Sequence, residues 1–465
     1  MTALVLGGGL SGIAAAVRLA QHGVRVTLIE TSRRLGGRAT SHEDPATGQI
    51  LDNCQHVVMG CCTALLDLYR SLGVDQYVEW HSRLHFFDKR GRHDVLEGNV
   101  FLPAPLHLSP SMLRMRTLTL AERLAVSRAM LTMLRMGSAG RMELEGMTFT
   151  QWLAEHHQPR GAIDKFWAVV VVSALNQHPD RASAAAAIHV FQDGFLAHED
   201  AYLMGTAAVP LRMLYDPAVP RIEAAGGRVM LGSSVRRLLF DGARVTGVEL
   251  SDGATLAADW YISALPFDRL EKVADDPLRT ADSRFRGIEH FTHSPILGIH
   301  LWFDRPVVDW PHMIFVDSPL QWVFKKVESQ TSKTERHRPP NQYLHCVISA
   351  ADEWIDKPHE QILTMAVREL AQYAPAVAGA TLQRGKVIKE KRATFSPVPG
   401  IEAHRPSTAG AVKNLLLAGD WTATGWPATM EGAVRSGYAA AAIAGGGADT
   451  VPDLPRARLA RWLSR

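Results

Sequence analysis

Charge excess, long apolar runs, cysteine and internal repeats are all scarce in this sequence, and each scarcity closes off a class of protein. The 465 residues carry 50 basic and 47 acidic side chains, a formal charge of +3. A balance that even does not call for nucleic acid, and none is expected as a partner. Four cysteines, three of them between 54 and 62, are too few for a disulfide framework and fit a reducing compartment. No uncharged apolar stretch reaches the roughly eighteen residues of a membrane span. The opening "MTALVLGGG" has no basic region ahead of its apolar run and no small-residue cleavage site. The expectation is a cytoplasmic chain that does not cross a membrane. What is present is an ordinary globular composition, 46% hydrophobic and 21% charged, long enough for two or three domains.

The first thirty residues carry the clearest pattern. Ala3 to Leu6 reads as a short buried strand, "GGGLSG" places Gly7, Gly9 and Gly12 in G-x-G-x-x-G spacing, and "IAAAVRLAQHG" continues as a helix. Gly7 permits a tight turn, Gly9 lets backbone approach a pyrophosphate, and Gly12 allows close helix packing. The helix start, with Leu10 and Ser11, points free N–H groups at phosphate charge. A second strand, "VRVTLIE", ends in Glu30, where a carboxylate can accept hydrogen bonds from a ribose diol.

The following "ETSRRLGGRATS" adds Gly36, Gly37 and Arg38, and a guanidinium there can bracket phosphate oxygens from the side opposite the helix. This stretch resembles the E-x(5)-G-G-R-x-x-[ST] extension of the amine oxidase and phytoene desaturase superfamily of flavoproteins. The resemblance implies FAD as cofactor, with Arg38 on its pyrophosphate. "NLLLAGDWTATGWPATMEGAVRSG" reads as a buried strand from Asn414 to Gly419, a loop, and a small-residue helix starting near Met430. By the same resemblance Asp420 contacts the ribityl-phosphate region, N–H groups around Met430 reach the flavin carbonyl edge, and Gly425, Trp426, Pro427 and Ala428 lie along the ring. A positive helix end there favours anionic reduced flavin. Asp241-Gly242 and Asp252-Gly253 punctuate a β-meander before a returning strand from Trp260 to Ala264. In the superfamily the residue at Val235 meets the adenine through its backbone.

The fold class expected is α/β: a Rossmann-like FAD-binding domain of the amine oxidase type with an inserted α+β substrate-binding domain. The FAD domain is assigned to 1–60, 196–269 and 386–447, the substrate domain to 61–195 and 270–385, and a basic tail to 448–465. The first insertion reads as mainly helical. Thr119-x-x-Glu122 is a capping box, and Leu120, Leu124, Leu131 and Leu134 fall on one side of the helix it opens. Arg114, Arg116, Arg123, Arg128 and Arg135 accompany those leucines, with Glu122 the only acid from Ser109 to Arg135. Such a surface suits anionic lipid, and equally an ordinary solvated helix face. The tail, with Arg456, Arg458, Arg461 and Arg465 beside Leu459, Trp462 and Leu463, leaves the same two readings open.

"LDNCQHVVMGCC", residues 51 to 62, holds three of the four cysteines. Read as a strand, 51 to 58 puts Asp52, Cys54 and His56 on one face, but no further ligand completes a metal site, so none is expected. Cys61 and Cys62 head a helix in which Cys62, Leu65, Leu66 and Tyr69 share an apolar face, which makes them core thiols. The segment follows the G-G-R motif and resembles the D-N-G-Q-H-x(3)-G-x-Y stretch of the hydroxysqualene dehydroxylase family. "ALNQHPDRASAAAAIHVFQDGF" and "TGWPATMEGAVRSG" resemble two more segments of that family. Cys54 departs from it, standing where the family has glycine, and Cys62 stands near its tyrosine.

This resemblance implies reduction of hydroxysqualene to squalene in squalene and hopanoid biosynthesis, an allylic hydroxyl being replaced by hydride from reduced flavin. Hydroxide leaves poorly, so a proton donor is needed; His56 is the candidate, with Asn53 and Gln55 as alternatives. A carotenoid-type desaturase working in the oxidative direction and a flavin amine oxidase with an aromatic cage are the rival readings. The expected partners are a long isoprenoid hydrocarbon, an electron donor that the sequence does not name, squalene-pathway synthases, and the inner face of the cytoplasmic membrane.

Overall fold

Thr2–Leu6 is buried from Ala3 onward, as a strand covered on both faces must be. In the computed structural model, which describes residues 1–326, 342–447 and 450–464, it is the middle of a five-stranded parallel sheet. The order across that sheet is Arg228–Leu231, Arg25–Glu30, Thr2–Leu6, Trp260–Ser263 and Leu415–Leu417. Helices Leu10–Gln21 and Met430–Gly445 pack together beside it through small residues. A Cβ at Gly437 would collide with the Ser11 carbonyl oxygen and lie 2.9 Å from the Ala14 Cβ. The two Asp-Gly turns yield the meander, with Val245–Leu250 between Val235–Phe240 and Thr255–Leu256.

A second sheet of seven strands forms the other half of the molecule. Its order is Leu382–Phe395, His293–Phe303, Gln342–Ser349, Trp322–Lys326, His312–Phe315, Arg83–Phe87 and His93–Glu97. The last two strands come from the insertion read as mainly helical. The division drawn at 385/386 falls inside Leu382–Phe395, which pairs with His293–Phe303 from Leu382 to Phe395. That strand is one element of the seven-stranded sheet, so the return to the cofactor domain comes after Phe395. Residues 327–341 of the second insertion, and Arg465 of the tail, lie outside the described residues.

One reading is corrected and another is given its direction. The strand placed at 51–58 is two strands, Ile50–Asp52 and Val57–Met59, separated by Asn53 to His56 in irregular backbone. Its halves pair with different partners, Ser41–Glu43 and Met204–Ala207, so no common face holds Asp52, Cys54 and His56. The capping box at Thr119 is present and opens helix Leu120–Met142, but the leucine stripe faces outward. Leu120, Leu124 and Leu131 are 61%, 50% and 37% exposed, and only Leu134 is buried. The helix instead buries Ala125 together with Val126, Ala129 and Met133, and the last three share a core cluster with the neighbouring helix Ala184–Phe191, whose own alanines allow the close approach. No described helix is long and apolar enough to cross a membrane.

Candidate active site

Fourteen residues read as cofactor contacts border one cavity of about 880 Å³: Gly7, Gly9, Leu10, Ser11, Glu30, Gly36, Gly37, Arg38, Val235, Gly419, Asp420, Pro427, Ala428 and Met430. Gly12 does not border it. A Cβ there would collide with the Gly7 carbonyl oxygen, so its hydrogen is what lets the helix start fold back on the strand. The two glycine loops interlock: Gly36 N–H donates to the Gly8 carbonyl at 2.9 Å, and Gly37, at φ 59°, brings its backbone so near that a Cβ would stand 2.9 Å from the Gly9 Cα. A Cβ on Gly9 would meet only that glycine, 3.9 Å away. Bare backbone therefore faces the cavity where the Leu10–Gln21 helix begins, and no side chain caps its first N–H groups. That is the cradle a pyrophosphate fits.

The charged groups around the cradle are already oriented. Glu30 accepts from Gly8 N–H at 2.6 Å and Ser32 N–H at 2.7 Å, which fixes its carboxylate at the strand end. Arg38 is ion-paired to the buried Asp420 and donates to the Ala393 carbonyl at 3.2 Å. Beyond Asp420, helix Met430–Gly445 begins where the sequence placed it, capped by the Thr429 hydroxyl on Gly432 N–H at 3.1 Å. Its second residue, Glu431, is fully buried and accepts from Ala64 and Leu65 N–H at 3.0 and 2.8 Å. Arg435 completes the group at 2.6 Å. Burial pushes the Glu431 carboxyl up, while Arg435 and the two N–H groups pull it back.

Asn53, Gln55 and His56 all border the same cavity, in different states of commitment. The Asn53 amide donates to the Arg38 carbonyl at 2.7 Å and to Glu390 at 3.1 Å, and its oxygen accepts from Thr40 N–H at 3.2 Å. It holds the Arg38 loop against the long Leu382–Phe395 strand. Gln55 accepts from Lys326 Nζ at 3.0 Å, and Lys326 also stands 3.6 Å from buried Asp52. His56 Nδ1 lies 3.0 Å from the Cys54 carbonyl, which can only accept, so Nδ1 carries the proton. Neutral His56 then presents Nε2 as an acceptor, and burial lowers its pKa. Cys62 is the N-cap of helix Thr63–Leu72, and Leu65 and Tyr69 are buried as the helical reading required.

The rest of the cavity is walled by apolar side chains from both insertions, among them Leu84, Phe86, Leu96, Val169, Phe195 and Phe324. Ser173, Ser349 and Thr394 also border it, and one pair of ionisable side chains stands in that wall. His189 is buried, its Nε2 has no hydrogen-bond partner, and it stands 3.6 Å from Asp193. Arg141 holds the Asp193 carboxylate at 2.9 Å. His189 also meets the Trp426 ring edge-on, with centroids 4.9 Å apart, which puts it one ring from the segment read as lining the flavin. Burial drives its pKa down to about 3, so the imidazole is neutral. Sequence reasoning missed His189, Asp193, Lys326 and Glu390. The first two stood in a segment quoted for its resemblance alone, although their i,i+4 spacing is one that places both on the same helix face. Among the described residues no group of three His, Cys, Asp or Glu is placed to hold a metal ion.

A glycine-looped parallel sheet, an arginine and a second helix start converging on one cavity define a dinucleotide-dependent oxidoreductase. The chain belongs to the flavin containing amine oxidoreductase family, whose pattern matches residues 10–444. It is 29% identical over 458 residues to a hydroxysqualene dehydroxylase of Rhodopseudomonas palustris, covering 95% of this chain and 97% of that one. It is 27% identical over 452 residues to a 15-cis-phytoene desaturase of Synechococcus elongatus, covering 94% of each. An oxidoreductase of Methanosarcina mazei shares the fold at a TM-score of 0.70 and 18% identity, over 94% of this chain and 99% of that one. A putrescine oxidase does so at 0.69 and 18%, over 95% and 98%. The protein is an FAD-dependent oxidoreductase of this superfamily.

Proposed function

We propose that this oxidoreductase works in the reductive direction on hydroxysqualene, giving squalene and water. The observation that carries the reading is the single cavity in which residues suited to the flavin meet an apolar chamber interrupted by a hydroxyl-sized polar spot at His189 and Asp193. The end-to-end similarity to the Rhodopseudomonas palustris dehydroxylase supports it. A pure hydrocarbon substrate gives no reason to keep an unpartnered imidazole beside a carboxylate in such a wall, because an unsatisfied buried polar group costs about 1–3 kcal/mol. An alcohol does: its oxygen accepts from His189 Nε2–H.

When bound, reduced FAD would supply the hydride, which carries both of the electrons the reduction needs. The substrate loses its allylic C–O bond, gains a C–H bond at the same carbon, and consumes one proton so that oxygen leaves as water. Gly9, Leu10 and Arg38 would hold the pyrophosphate, and Asn53 fixes the Arg38 backbone. The apolar walls exclude water that would capture a cationic carbon. His56 delivers the proton when it is an imidazolium, and the Cys54 carbonyl fixes the ring that does so.

A second reading, an oxidative desaturase of the phytoene type, has the 27% identity to the Synechococcus elongatus enzyme in its favour. One experiment separates the two. Purified protein is reduced anaerobically and given one equivalent of hydroxysqualene; squalene formed together with stoichiometric flavin oxidation supports the reductive reading. Absence of squalene, with flavin reduction by phytoene in the oxidised protein, overturns it.

A further inference from the structure

The outward leucine stripe on Leu120–Met142 is not isolated. The preceding loop exposes Val100 and Phe101 almost completely, at 90% and 89%, and Leu106 and Leu113 are about half exposed. Arg123 donates to the Leu113 carbonyl, which ties the end of helix Ser109–Arg114 to the first turn of the leucine helix. From the far end of the chain, helix Arg458–Leu463 packs on the same leucine helix through Ala460, leaving Trp462 at 79% exposure. Segments more than 300 residues apart in sequence thus carry exposed apolar side chains around one helix, to which the helices flanking them are tied.

Their charge has one sign. Arg114, Arg128, Arg135, Arg458 and Arg461 are exposed and form no salt bridge among the described residues. The single acid between Ser109 and Met142, Glu122, is spent in the capping box, accepting from Thr119 N–H at 2.7 Å. Leucine, phenylalanine and tryptophan interleaved with unpaired arginine match the interfacial zone of an anionic bilayer. There the rings and leucines enter the acyl boundary and the guanidiniums meet phosphate. A protein partner with an acidic face matches the charge but not the scattered, protruding apolar tips, since protein interfaces gather theirs into a packed centre.

We propose that this surface, built from residues 100–135 and 458–462, docks the protein onto anionic phospholipid. Strand His93–Glu97, whose Leu96 borders the cavity, runs directly into the Val100–Phe101 loop, so the docking surface continues one wall of the cavity. The proposal stands whatever the substrate is. It is tested by flotation of the full-length, FAD-loaded protein with phosphatidylcholine vesicles containing or lacking 30% phosphatidylglycerol, a composition chosen as roughly that of an anionic membrane. Recovery with the anionic vesicles alone is expected, and R128Q/R135Q lowers the partition coefficient roughly 30-fold. F101D/L124D abolishes flotation with FAD content unchanged. Equal recovery on both vesicle types, or wild-type flotation by R128Q/R135Q, overturns the proposal. So does a dimer in solution that L124D dissociates, since a second copy then covers the face. R128Q/R135Q alters only solvent-facing side chains and decides the matter if the double aspartate variant fails to fold.

Discussion

Glu431 Oε2 accepts the Leu65 backbone N–H at 2.8 Å, joining the first turn of one helix to the first turn of another 366 residues away in sequence. The contact caps helix Thr63–Leu72, whose N-cap residue Cys62 offers no side-chain hydrogen bond of its own. It also fixes Met430, the neighbour of Glu431, at the edge of the cofactor cavity. One carboxylate therefore couples the fold of the 51–72 region to the flavin end of the site.

Glu431→Ala leaves two buried N–H groups without their acceptor and takes from Arg435 one of its two carboxylate partners, Asp453 remaining, at a cost of about 3 kcal/mol. Thermal unfolding followed by circular dichroism is expected to show a clear fall in the apparent Tm, with FAD released at a lower temperature than from the wild type. Glu431→Gln keeps an acceptor oxygen and recovers part of the loss. An unchanged Tm for the alanine variant contradicts the coupling.

Arg38 bears on cofactor affinity as well as on folding. Its partner Asp420 is 4% exposed, so Arg38→Ala removes the counter-charge of a buried carboxylate and, on the proposed reading, a phosphate contact. Charge-assisted bonds of this kind contribute about 1.5–3 kcal/mol, which sets the expected rise in FAD Kd at roughly 10- to 100-fold. Titration of apoprotein by flavin fluorescence measures it. Arg38→Lys keeps the charge without the fork and falls between the two.

Much of the cofactor half was legible in sequence because its physics is local. A tight turn, a bare helix start and a strand-end acid must be neighbours along the chain, so their spacing survives as a motif. Met430 as the helix start and the meander turns follow from the same locality. Which way the leucine helix turns was not legible, because periodicity finds a stripe without saying which stripe packs: alanines opposite Leu120 and Leu124 gave closer helix contact. The 51–58 strand failed because each half follows a different partner strand. His189 and Asp193 gain their meaning only from Trp426 and Arg141, far away in sequence.

Acid sensitivity follows from the buried histidines. His189, His300 and His312 are each held near a pKa of about 3 by burial. Folded, they stay neutral where the unfolded chain, titrating near 6.5, takes up protons. Stability is therefore unaffected by these groups above that value and falls as pH drops below it, by about 2 kcal/mol for each at pH 5. Chemical denaturation at pH 7 and pH 5 is expected to show a large drop in midpoint. His312→Phe, which leaves His189 and Asp193 in place, is expected to reduce the drop.

His189→Phe keeps the ring beside Trp426 and removes the donor. Titrated against oxidised holoprotein by flavin absorbance, hydroxysqualene is expected to lose about tenfold in affinity while squalene is bound as before, the loss of one hydrogen bond to an alcohol. His189→Gln retains a donor and part of the preference. A variant that still prefers the alcohol shows that the hydroxyl sits elsewhere, even where wild-type protein makes squalene.

His56 makes the sharpest kinetic prediction, because its hydrogen bond fixes its tautomer. With Nδ1–H given to the Cys54 carbonyl, Nε2 can donate only in the imidazolium form, which burial makes scarce at neutral pH. If that form delivers the proton, the single-turnover rate of reduced enzyme rises as pH falls from 8 toward 6, with a kinetic pKa below 6.5. His56→Ala loses about 10²–10⁴-fold in that rate and loses the pH dependence with it, while FAD content stays normal. A flat profile in the wild type, or an alanine variant of full rate, assigns the proton to another group and leaves His56 as part of the cavity wall.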